Sequence, residues 1–222
     1  MADAPPFQIS KYRSAIMTQK EAISIISKCA GLYASHLCNK QIAFVYRDSH
    51  NKTDFIEAAF RPNNFMHFTG VETRNHTKAN AFYRDAVDRR LKESNIIFKD
   101  NHTTELKLQV LHSIINIAYS ARMIGDYTGP LLDLYTEKIT GTTSACLGLI
   151  KSNRIYIPNT VLKEDIRNLT PNPSGKIFAI FRKQINQKMY TEITYQSKNF
   201  LITQKCLPKE LLIQIEPSLL EL

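Results

Sequence analysis

The chain predicts an α+β fold in which helices pack on a mainly antiparallel β-sheet. Two observations carry that expectation. Apolar residues recur at three- and four-residue spacing over residues 18–36 and again over 77–124, the period of an amphipathic helix. After Gly125 the chain breaks into short β-branched and aromatic segments separated by Gly, Asn, Ser and Pro turns. Connections so short favour antiparallel pairing, because parallel neighbours need crossovers of about a dozen residues or more.

Residues 1–18 carry two prolines and little periodicity, as a loosely attached arm would. Thr18-Gln19-Lys20-Glu21 has capping-box spacing, and Ala22, Ile25, Ile26, Cys29, Leu32 and Tyr33 continue it as a helix to about His36. Ile42 to Tyr46 and Phe55 to Phe60 flank the polar run 47–52, a hairpin with a longer loop. Asn64-Phe65-Met66-His67-Phe68-Thr69-Gly70-Val71 reads as a strand entering a turn, with His67 and Thr69 on one side and Gly70 bending the backbone. Its bland counterpart is a core strand with a structurally hydrogen-bonded His67.

Ala81, Phe82, Ala86, Val87 and Leu91 mark one helical stripe, and Leu106, Val110, Leu111, Ile114, Ile117 and Ala118 a second that Thr103 or Thr104 caps and Gly125 ends. Lys107 sits in the first turn of that helix, a poor place for a cation in the helix dipole; it is either solvated or aimed at a phosphate. Strands are expected at 131–139, 144–150, 154–157, 176–182 and 189–195, with a helix over 159–169 after Pro158 and a last short element in the apolar tail from Leu207. The expected organisation is an N-terminal part, 1–60, holding arm, helix and hairpin, and a main domain over 61–222, with 19–60 able to be continuous with it.

The formal charge of +9, from 29 Lys and Arg against 20 Asp and Glu, suits a polyanionic partner such as nucleic acid, although dispersed solubility charge gives the same balance. The four cysteines lack CxxC spacing and read as reduced, mostly buried thiols. The first residues lack a basic region followed by an apolar run, and no stretch nears the ~20 apolar residues of a membrane span. A cytoplasmic protein without a membrane partner is expected.

Motifs for nucleotide hydrolysis, dinucleotide binding and zinc proteolysis are missing from the sequence, and no acidic cluster suggests a two-metal nuclease. What the residues do supply is metal-independent phosphodiester cleavage without a cofactor: a base for the ribose 2′-hydroxyl, an acid for the leaving oxygen, and cations for the phosphorane charge. The catalytic candidates are His67, Thr69, Lys138 and Lys107. Nucleic-acid contacts are expected from Arg74, Thr140, Thr143, Arg182, Lys183 and Tyr190. Each has a plainer role open to it, as strand-end lysines, a polar turn over 140–143, or half-buried sheet tyrosines. His67 and Lys138, each near a glycine, are expected to approach across the sheet and with Thr69 to bound a shallow basic site.

The segments 64–71, Ala81-Phe82-Tyr83, 105–111, Ile124-Gly125-Asp126-Tyr127, 136–141, Cys146-Leu147-Gly148 and Tyr156-Ile157-Pro158-Asn159 together resemble a phage-associated nuclease family of the barnase, EndoU, colicin E5/D and RelE superfamily. The resemblance spans about residues 40–197. It implies a BECR-like fold of helices on a four- or five-stranded antiparallel sheet, with an RNase site on the exposed sheet face. His67 and Thr69 would be site residues, and Lys107 and Lys138 supporting cations. The setting it implies is phage, mobile-element or toxin conflict, with RNA as partner and a cognate inhibitor or host protein as a further one. The role of residues 1–60 stays open in it, as does a non-catalytic binding or sequestering protein as the alternative function.

Overall fold

The computed structural model describes residues 17–129, 135–171, 175–198 and 200–220. Helix α1, Gln19–His36, begins at the expected capping box: the Thr18 hydroxyl accepts from Glu21 N at 3.2 Å while the Glu21 carboxylate accepts from Thr18 N at 2.8 Å. Its buried face is Ala22, Ile26, Cys29, Ala30 and Tyr33. Strands β1, Lys40–Arg47, and β2, Thr53–Phe60, form the expected hairpin, in register from Lys40 opposite Phe60 to Arg47 opposite Thr53. The Asp48 carboxylate closes the turn by accepting from the backbone N–H groups of His50 and Lys52.

The other strands are β3, Glu72–Thr73; β4, Ile96–Ile97; β5, Met123–Asp126; β6, Lys138–Gly141; β7, Cys146–Ser152; β8, Ile155–Leu162; β9, Gly175–Gln184; and β10, Glu192–Gln196. The fold is α+β as expected, but the sheet is not an open one covered on a single face. Pairing runs β1, β2, β8, β7, β6, β5, β9 and back to β1, a ring of seven strands with β10 beside β9. Every neighbour in the ring is antiparallel except β2 and β8, which run parallel through Ala58 and Tyr156. The N-terminal hairpin therefore supplies two staves of the same barrel, and β10, paired with β9 alone, is the strand left at an edge.

Two expected elements of this part of the chain differ. The expected helix over 159–169 is not formed: β8 continues through Pro158 to Leu162, and only a 3₁₀ turn, Ile166–Asn168, follows. Pro158 is tolerated because the register of β7 and β8 shifts beside it, between Gly148 and Leu149, where the ladder is interrupted. Gly125 does not end a helix but lies within β5, where an added Cβ would sit 2.9 Å from the Thr170 side chain. The first half of the expected strand at 131–139 lies partly outside the described residues; its described end is β6.

The helices are α2, Asn64–Thr69; α3, Ala79–Val87; α4, Thr103–Ile115; α5, Ile117–Ser120; and α6, Lys209–Leu212. Leu108, Leu111, Ile114 and Ile115 of α4 are fully or almost fully buried, but Leu106, expected on the same stripe, is 45% exposed. Barrel side chains Ile42, Phe44, Ile56, Phe60, Leu147 and Leu149 share one apolar core with α1 to α5. In it Tyr33 meets the rings of Phe65 at 5.2 Å and Tyr83 at 5.5 Å. The tail from Leu207 packs Leu207, Leu211 and Ile215 against Ala43, Val45 and Phe181, a second core on the other face of β1 and β9. No helix among the described residues is long and apolar enough to cross a membrane.

Candidate active site

The stretch expected to be a strand at 64–71 is the helix α2, and this changes what His67 and Thr69 can do together. Residues two apart on a helix point about 200° from each other, not to one side. Phe65 and Phe68, three apart, are buried; His67 is exposed and Thr69 fully buried. The Thr69 hydroxyl donates to the Met66 carbonyl at 2.7 Å and accepts from Val71 N at 3.3 Å, so it closes the last turn of the helix and faces away from His67. Gly70 ends α2 at φ +70°, a left-handed conformation that costs a side-chain-bearing residue about 1–2 kcal/mol.

The start of α4 docks on that helix end. The Thr104 hydroxyl, fully buried, donates to the Gly70 carbonyl at 2.8 Å and accepts from Lys99 N at 3.1 Å. One turn on, Lys107 crosses Gly70 and its Nζ donates to the His67 carbonyl at 3.2 Å. A Cβ on residue 70 would lie 2.8 Å from Lys107 Cδ, so the glycine is what lets the lysine stem pass. Lys107 is thus partly covered and anchored on the His67 carbonyl, at the C-terminal end of α2.

Burial, and then the nearby Lys99 ammonium, bring the Lys107 pKa down to about 8. For His67, partial covering of the ring comes first, followed by the Lys107 and Lys99 charges; together they lower its pKa below the ordinary 6.5. No hydrogen bond to the His67 ring is formed among the described residues. Lys99 itself is exposed and only loosely paired, 3.7 Å from Glu72. Lys107, Lys99 and Leu106 line a cleft of about 550 Å³ whose far wall is the end of β8, Thr160 to Leu162, with Lys163 and Glu164. Glu164 accepts from Asp165 N and the Asn168 amide and Lys163 donates to Gln109 at 2.6 Å, so three lysines, Lys99, Lys107 and Lys163, and one carboxylate, Glu164, line the space.

His67 does not line this cleft itself and meets Lys107 through its backbone carbonyl, and the remaining expected site residues do not join the cleft either. Lys138 forms an ion pair with Asp126 at 2.7 Å, at the barrel end where β6 starts and β5 stops. His67 lies on α2, and among the described residues no hydrogen bond or ion pair joins it to Lys138 and no cleft is lined by both. Thr140 is fully buried and donates to the Met123 carbonyl. Arg182 is held by Glu192, the His36 carbonyl and the Tyr119 hydroxyl. Lys183, 6% exposed, donates to the Lys188 carbonyl and Gln214, and Tyr190, 0% exposed, donates to Glu57 at 2.6 Å. Thr140, Lys183 and Tyr190 are buried and Arg182 is largely covered, and the polar groups of all four are engaged within the fold. Arg74 and Thr143 are exposed, Arg74 in a groove with Met66, Glu72 and His76 beside α2.

Lys99 sits in Phe98-Lys99-Asp100 with no motif around it, and only the docking of α4 on α2 brings it to the cleft. Among the described residues no group of three or more His, Cys, Asp or Glu converges, and all four cysteines are free thiols. No curated protein and no solved structure matches the chain significantly. A family model does, over residues 25–199: that of the phage-Barnase-EndoU-ColicinE5/D-RelE like nuclease4 family. The match takes in the later two-thirds of α1, the seven staves and the α2–α4 junction, and on it the chain belongs to this phage-associated nuclease-like family.

Proposed function

We propose that the protein is an endoribonuclease that cleaves RNA by attack of the ribose 2′-hydroxyl on the adjacent phosphorus, with His67 as general base and Lys107 as general acid. The 2′-oxygen bonds to phosphorus as His67 takes its proton. The bond from phosphorus to the 5′-oxygen breaks as the Lys107 ammonium gives that oxygen a proton. The products are a 2′,3′-cyclic phosphate and a 5′-hydroxyl, and the Lys99 ammonium offsets charge on the phosphorane oxygens.

The observation that carries this reading is the partly buried Lys107, anchored on the His67 carbonyl across Gly70 with its pKa brought down to about 8. A base below 6.5 is mostly neutral at pH 7 and an acid near 8 mostly protonated, so both are in their working forms together. A lysine desolvated beside a second cation at the edge of a cleft has the environment of a functional residue. The loss of Thr69 and Lys138 from the site leaves few convergent groups, which favours, as the second reading, a nucleic-acid-binding protein that does not cut.

The test is incubation of the purified protein with labelled single-stranded RNA in EDTA, beside His67→Ala. Cutting by the wild type and loss of about a hundredfold or more in the variant are expected. Intact RNA with both proteins would move the assignment to the binding reading.

A further inference from the structure

We infer that Arg61 and Arg154 form a second phosphate-holding subsite for single-stranded RNA, at the start of α2 and about one short helix away from His67. This rests on the RNA reading above and extends it to how the strand is held. The two arginines come from different elements, Arg61 from the link between β2 and α2, Arg154 from the tight turn between β7 and β8. Both line one cleft of about 510 Å³ with Asn63, Ser152 and Asn153 and no carboxylate.

Both backbones are fixed. The Arg61 carbonyl accepts from the Tyr33 hydroxyl at 2.8 Å, and its N–H donates to the Asn64 amide oxygen at 2.7 Å. On the other wall, Ser152 pairs with Ile155, and Asn153 takes φ +57° to make the two-residue turn. The guanidinium groups are exposed, and neither has an ion pair or hydrogen bond among the described residues. That sets them apart from Arg90, Arg167 and Arg182, each tied to a carboxylate. Guanidinium forks with no acid beside them, over amide and hydroxyl groups, suit a phosphodiester.

The six residues of α2 set the spacing. At about 1.5 Å per residue the helix is roughly 9 Å long, with Arg61 before its start and His67 near its end. A strand lying along α2 would therefore place one phosphate at the arginines while a neighbouring one reaches His67 and Lys107.

The experiment uses the full chain and a fluorescently labelled 2′-O-methyl oligoribonucleotide, which lacks the attacking hydroxyl and stays intact, with affinity read by anisotropy across a salt series. Arg61→Gln/Arg154→Gln is compared with Lys205→Gln/Lys209→Gln, an equal charge removal on the exposed C-terminal segment. The arginine pair is expected to weaken binding about tenfold and to flatten the log–log salt slope by about 1.4, two single-strand contacts at about 0.7 each. The lysine pair is expected to leave both nearly unchanged. Equal weakening by the two pairs, no effect of either, or no wild-type binding would overturn the inference. Arginine-dependent binding without cleavage of ordinary RNA would keep this subsite and reject the catalytic reading, whereas cleavage indifferent to the arginines would do the reverse.

Discussion

Replacing Lys107 by Met is expected to make the protein more stable and less active. An ammonium brought from 10.5 to about 8 is opposed by the fold with about 3 kcal/mol, since one pKa step is worth about 1.4 kcal/mol. That figure is a ceiling for a partly buried side chain. The variant also loses the hydrogen bond to the His67 carbonyl, about 1 kcal/mol, leaving a net gain of about 2 kcal/mol near neutral pH. For a chain of this size that is roughly 4–8 °C in Tm.

The sign follows from where the proton is bound. Below about pH 8 Lys107 is charged in both folded and unfolded chains and the wild type bears the full cost. Between about 8 and 10.5 only the unfolded chain keeps the proton, so wild-type stability climbs with pH and the advantage of Met fades. Urea denaturation of both proteins at pH 7 and pH 10 measures this, and cleavage of labelled RNA at pH 7 measures the functional cost. Equal stability at both pH values, or a less stable variant at pH 7, would refute the argument that the fold holds this ammonium at a cost.

Gly70→Ala is expected to cost about 1–2 kcal/mol from its positive φ alone, and to reduce cleavage further than stability by pushing the Lys107 stem off the His67 carbonyl; urea midpoints and rates report the two. Lys138→Ala is expected to leave the cleavage rate unchanged and to cost less than ~1 kcal/mol, because its ion pair is with the exposed Asp126. The pH profile of kcat/KM should be bell-shaped, rising below 6.5 as His67 loses its proton and falling near 8 as Lys107 does, and Lys107→Arg should move the alkaline limb upward.

Where one local rule decided the structure, the sequence was readable. The capping box at Thr18 started α1, and the polar run 47–52 between two apolar runs made the first hairpin. Short strands implied antiparallel neighbours, but nothing local tells a strand that its sheet closes on itself; the ring needs the contact of β1 with β9, far apart in sequence. The stretch 64–71 was ambiguous in kind. Phe65 and Phe68 fit a helical turn as well as His67 and Thr69 fit an alternating strand, and six residues are too few for the period to show. Pro158 read as a helix start because a bulge that admits proline to a strand leaves no mark in composition. His67 and Lys107 were legible as candidates; their connection was not, because it runs through Gly70 and Thr104, two residues without chemistry of their own.

The central claim is 2′-hydroxyl transphosphorylation by His67 and Lys107, and the most direct measurement is of the ends it leaves. A short labelled RNA, and the same RNA with every 2′-hydroxyl replaced by hydrogen, are incubated with the protein in EDTA and the fragments weighed by mass spectrometry. The expected result is a 2′,3′-cyclic phosphate and a 5′-hydroxyl from RNA, no cutting of the 2′-deoxy strand, and no products with His67→Ala or Lys107→Met. Cleavage of the deoxy strand, 5′-phosphate ends, or undiminished cutting by either variant would contradict it.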